Sequence, residues 1–141
     1  MTQEDKDLLL KDLSARLTYN VKAYVKNWSK LDRRYYEGVY TVESVCPSLN
    51  TVLVYSDKFS VEVVVGYDDY VIKPYLFPLS SMTKEQEMEY DATFETIVYE
   101  DGKRDSTMTY KSFDWLNKNH FDYRGLIPMG LALDATDLNI Y

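Results

Sequence analysis

Between Asn20 and Tyr75 the chain is a succession of short β-type runs, each broken by turn residues, and nothing else in it constrains the fold as strongly. Val21, Ala23 and Val25 alternate with Lys22, Tyr24 and Lys26, the period of a half-buried strand. The polar residues 27–34 read as a connection. Tyr36 to Val45, Thr51 to Tyr55 and Phe59 to Gly66 follow as further strands. Pro47, Ser48 and Asn50 separate the first two, and Ser56, Asp57 and Lys58 the second two, so the runs read as antiparallel hairpins. Residues 61–65 are almost continuously β-branched, which places them centrally in the sheet. Asp68 and Asp69 mark a turn before a short strand, Tyr70 to Tyr75, that Pro74 helps to end.

Helical signals flank this region. Thr2 stands before Glu4, Asp5 and Asp7, and Leu9, Leu10, Leu13 and Leu17 recur at helical spacing, so an amphipathic helix is expected over 3–17. Thr83 with Gln86 three residues later forms a capping-box pattern for a helix over 84–92. Residues 93–99 have strand character, and residues 100–103 form a turn. Thr109 or Ser112 caps a last helix running to His120, and Gly125 ends its apolar register. The expected architecture is a single α+β domain over 1–141. It has an antiparallel, barrel-like sheet, an N-terminal helix and two helices in the C-terminal half.

Composition excludes several functions. With 45% hydrophobic and 28% charged residues in 141, one ordinary core is expected. No run of about 18 apolar residues occurs and the first residues lack a signal-peptide pattern, so a cytoplasmic location without a membrane partner is expected. One cysteine and one histidine cannot build a Cys/His metal site within a protomer, and five scattered glycines form no phosphate-cradling loop. Cys46 has no activating neighbour and is expected to be buried and inert. His120 is expected to play a structural or capping part, its cationic form favoured by a helix C-terminus. Ser112, Asp114 and Asp122 lie near it in sequence, but no catalytic spacing links them. No catalytic residue, metal or cofactor is expected, and the chain does not read as an enzyme.

Two groups of residues remain as candidate contact surfaces. Lys22, Lys26, Lys30, Arg33 and Arg34 are interleaved with Trp28 and with Tyr24, Tyr35 and Tyr36, a mixture suited to single-stranded nucleic acid. A net charge of −7 opposes that use unless the cations cluster in space. Phe113, Trp115, Phe121 and Tyr123 form the second group. Trp115 and Leu116 cannot share one narrow helical stripe with Phe113, so the last helix is either wrapped on more than one side or offers an aromatic to a protein partner. Arg124 is placed to reach helix-end carbonyls or the carboxylates of Asp122 or Asp114.

The segments KPYLFPLSSMTKEQ (73–86) and DWLNKNHFDYRGLIPMGLAL (114–133) resemble a group of small proteins, of unassigned function, encoded by gut anaerobic bacteria and their phages and prophages. The resemblance covers roughly the last half of the chain. It implies a mobile-element accessory protein acting inside a bacterial cell, and brings no catalytic residues with it. The order helix, strand, meander is also similar to that of Sm-like and SH3-like small barrels. Two expectations follow: a non-enzymatic binding protein that contacts a bacterial protein or a copy of itself, or a small-barrel nucleic-acid binder using residues 22–36.

Overall fold

The computed structural model describes all residues, 1–141. Helix α1 (Gln3–Ala15) begins at a capping box in which the Thr2 hydroxyl accepts from the Asp5 N–H and the Asp5 carboxylate from the Thr2 N–H. It ends two residues earlier than its leucine spacing suggests. A 3-10 turn at Leu17–Tyr19 and Asn20 in the left-handed region (φ 55°) swing the chain into β1 (Lys22–Ser29). Leu17 still packs on the core from that turn.

The sheet continues through β2 (Arg34–Cys46), β3 (Thr51–Tyr55), β4 (Ser60–Val64) and β5 (Tyr70–Pro78). The expected connection at 27–34 is largely strand. Asn27, Trp28 and Ser29 pair with Tyr36, Tyr35 and Arg34, so only residues 30–33 turn, with Arg33 at φ 52°. Side-chain polarity had hidden this, because the ladder is built by backbone groups and the outward side chains of such a hairpin are free to be polar. Along the antiparallel part the order is β4-β3-β2-β1-β5, the fifth strand returning to the first. A bulge between Val42 and Ser44 bends β2.

Two expectations about the sheet fail. β4 lies at the edge rather than the centre: its β-branched run is partly buried because Val63 and Val65 face the concave side, where α1 covers them. The sheet also stays open, since no ladder joins β4 to β5, so it is not a barrel. The core fills the concave side, with Leu9, Leu10 and Leu13 of α1 against Val21, Ala23, Val25, Val42, Val52, Val54 and Ile72.

The second half of the chain extends β5. Two short parallel strands, β8 (Phe121–Asp122) and β9 (Leu133–Asp134), pair with it. The Phe77 N–H donates to His120 and the Leu76 carbonyl accepts from Ala135. These groups are the two ends of one trans peptide and point opposite ways, so β8 and β9 flank β5 on its two sides. β5 thereby runs through Pro74 to Pro78, three residues past its expected end, by exchanging β1 for a new partner on that side. Leu76, Leu126, Leu131 and Ala132 form a small second core.

Asp12, Arg16 and Arg124 tie this half to α1. The Asp12 carboxylate, fully buried, accepts from Arg16 Nε at 3.0 Å and Arg124 Nη1 at 2.9 Å, and Arg16 Nη2 donates to the Phe121 carbonyl at 2.7 Å. Arg124 therefore pairs with Asp12, not with Asp122 or Asp114. Asp122 is occupied otherwise, accepting from the N–H groups of Leu126 and Ile127, each at 2.8 Å. No helix is long and apolar enough to cross a membrane.

Candidate interaction surface

Helix α2 (Lys84–Asp91) starts at the expected box between Thr83 and Gln86. Both proposed caps of α3 (Tyr110–Lys118) act together: Thr109 accepts from Lys111, and the Ser112 hydroxyl accepts from the Thr109 N–H. Between the helices stands a two-stranded hairpin, β6 (Glu95–Val98) and β7 (Arg104–Thr107), which pairs with nothing else. Residues 93–99 were legible as a strand, whereas β7 had no apolar signal because none of its residues is buried.

The base of this hairpin is fixed. The Thr109 hydroxyl donates to the Thr93 carbonyl at 2.9 Å, and the Thr93 hydroxyl lies 2.8 Å from the fully buried Ser112 Oγ. Above that base every residue of both strands is exposed, including Ile97, Val98 and, just beyond, Tyr99 at 49%. Isolated two-stranded ribbons are marginal in water, and this one, anchored at its base, turns apolar residues outward. Residues 84–101 hold seven carboxylates against Lys84 alone, a net −6 out of the chain's −7. Met88 and Tyr110, both 72% exposed, and Phe113 add apolar area on the adjoining helices.

The expected aromatic interface residues are thus divided. Phe121 is buried, its ring parallel to Trp115 at 5.5 Å. Trp115 is half-buried between Phe121 and Tyr90, and its indole N–H donates to Glu89 at 3.3 Å. Tyr123 is half-buried, covered by Arg16 and Arg124. Phe113, edge-on to Tyr123, is 44% exposed and alone of the four remains largely free. Trp115 and Phe121 are thus wrapped into the interior, because β8 turns back under α3 to pair with β5.

The basic group lies on and beside the convex sheet face. Lys22, Tyr24, Lys26 and Trp28 share one face of β1, and Lys73 is opposite Tyr24 on β5. Lys26 Nζ sits 4.6 Å above the Tyr35 ring, which also meets Trp28 edge-on at 4.9 Å. Glu37 stands among these cations, accepting from the Tyr24 hydroxyl at 2.5 Å, a contact that pushes the phenol up to about 12. Lys30 and Arg33 lie in the 30–33 turn. Arg34 faces the other way, over the ring of Tyr36 at 4.6 Å, and donates to its hydroxyl.

His120 and Cys46 depart from expectation in their chemistry. Burial, then the charges of Arg16 and Lys22, lower the His120 pKa to about 4, so the imidazole is neutral, contrary to the helix-dipole expectation. The helix end carries less weight than burial here because α3 already stops at Lys118. Cys46 is half-exposed rather than buried, and the Ser48 hydroxyl and Leu49 backbone beside it lower its pKa. No group of three or more His, Cys, Asp or Glu side chains could hold a metal ion. No protein-family model matches the chain, and no curated protein or solved structure matches it either.

Proposed function

We propose that this is a non-enzymatic binding protein, phage- or prophage-derived and acting inside a bacterial cell, whose α2, β6 and β7 arm docks on a bacterial protein with a basic surface. The observation that carries this reading is the coincidence of charge and exposure. The arm over residues 84–107, with eight carboxylates against Lys84, Lys103 and Arg104, carries a net −5, and its strand β6 exposes Ile97 and Val98 above a hydrogen-bonded base. Charge steers the encounter and the apolar residues supply the desolvated centre of a contact. A second copy is a poorer fit, because two acidic arms would repel.

The test is affinity capture from bacterial lysate, after nuclease treatment, with the wild type compared against Ile97→Lys/Val98→Lys and Glu100→Lys/Asp101→Lys. A single basic protein held by the wild type, released at high salt and lost with both variants supports the reading. Equal capture by the variants refutes it.

Nucleic-acid binding is the second reading. It is favoured by Lys22, Lys26 and Lys73 sharing one open face with Tyr24, Trp28 and Tyr35. Retention of single-stranded RNA or DNA that weakens steeply with salt and is lost on Lys26→Glu would move this reading to first place.

A further inference from the structure

Helix α1 covers only part of the concave sheet face. Beyond it, where β1 and β2 approach the 30–33 turn, Asn27, Tyr36, Phe59 and Glu62 line a cleft of about 330 Å³. Three observations make this more than a packing defect. Asn27 Oδ1 is buried and has no hydrogen-bond partner in the protein. A buried carbonyl oxygen in that state costs free energy that a donor from a bound molecule would recover. Phe59, 41% exposed, stands edge-on to Tyr36 at 5.7 Å and is tilted against Tyr40 at 6.1 Å. Gly38 of β2 lies on the same face as Tyr36, in the wall of an adjoining depression, and a side chain there would find only Tyr40, at 3.8 Å, within reach.

A second depression, of about 430 Å³, adjoins the first through their shared walls Tyr36 and Phe59, and is edged by Arg34 and Lys58. Neither cation has a carboxylate within ion-pair distance. An aromatic platform, an unpaired amide oxygen and, in the adjoining depression, the cations Arg34 and Lys58 match the successive parts of one ligand class. We propose that this double cleft binds a purine nucleoside monophosphate. The base lies on Phe59 and donates an N–H to Asn27 Oδ1, and the phosphate is held by Arg34 and Lys58. The site is independent of the acidic arm, and of the convex face that carries Lys22 and Lys26.

Titration of the full-length protein with AMP, GMP, adenosine and inorganic phosphate, by calorimetry and by melting temperature, tests this. AMP or GMP should bind and raise the melting temperature by several degrees at millimolar concentration. Asn27→Leu and Phe59→Ser should each weaken that binding at least tenfold. Arg34→Ala/Lys58→Ala should weaken AMP but leave adenosine unaffected, a split that loss of folding would not produce. Lys73→Ala, on the opposite face, should bind as the wild type does. No binding of either nucleotide, affinity unchanged in Asn27→Leu and Phe59→Ser, or retention of oligonucleotides without mononucleotides would each overturn the proposal.

Discussion

The imidazole of His120 lies flat against the ring of Tyr141, centroids 3.7 Å apart and planes 11° from parallel. The same phenol closes a gap in the sheet. Its hydroxyl accepts from the Lys22 N–H at 2.9 Å and donates to the Tyr75 carbonyl at 2.8 Å, where β5 leaves β1 for β9. Burial raises the phenol's pKa, which keeps that donor in place through the physiological range.

Burial of the imidazole, with the charges of Arg16 and Lys22 beside it, makes stability depend on acid. The folded state holds His120 neutral down to about pH 4, whereas the unfolded chain protonates it near 6.5, so the unfolded state binds more protons between those values. Stability therefore falls as pH drops from about 6.5 towards 4, by about 2 kcal/mol once partial solvent screening is allowed for. Urea unfolding at intervals from pH 7 to 5 should show this slope in the wild type and a shallower one in His120→Asn, a residue that tolerates the local φ of 62°.

Tyr141→Phe keeps the stack and removes the hydroxyl. The Lys22 N–H and Tyr75 carbonyl then lose their shared partner, a cost of about 1–3 kcal/mol. Hydrogen exchange should quicken at Lys22, while the amides of β3, remote from the gap, keep their protection.

Asp12 lies between two guanidinium groups with no exposure of its own. Asp12→Ala leaves Arg16 buried without a counter-charge and should cost about 3–5 kcal/mol by chemical denaturation. Arg124→Ala should cost about 1 kcal/mol, because that side chain remains 16% exposed. The two losses should fall short of additivity in the double variant, since both act through one carboxylate.

Trp115 is packed on two faces and open on its rim, so Trp115→Ala should destabilise by about 2–3 kcal/mol, less than a fully buried tryptophan would. A melting curve identical to that of the wild type would place Trp115 in an interface instead.

Ile97→Lys and Val98→Lys should each change stability by less than about 0.5 kcal/mol, because neither side chain is buried. Thermal unfolding checks this. The same variants lose partner capture if the arm is the binding surface, which separates binding from folding.

What was legible in the sequence rested on local chemistry. Thr2, Thr83 and Thr109 cap helices because each capping box is completed within four residues. Val52 and Val54 alternate inward because a strand repeats every two residues. The α+β class followed from those periods. Arg124 was expected to reach Asp122 or Asp114, but its partner is Asp12, 112 residues away, which local spacing cannot reveal. The edge position of β4, the open sheet and the isolation of β6 and β7 depend on which strands meet, and a run of valines records burial without recording neighbours.

The candidate surfaces divide the same way. The sequence by itself determined that charge is unevenly spread, since that is a property of residue order. Only the tertiary structure decided that Trp115 and Phe121 face inward, that Arg34 parts company with Lys26 across the sheet, and that Asn27 Oδ1 is buried beside an exposed Phe59. Each of these is a relation between elements distant in the chain, set by how β5 changes partners and how far α1 reaches over the concave face.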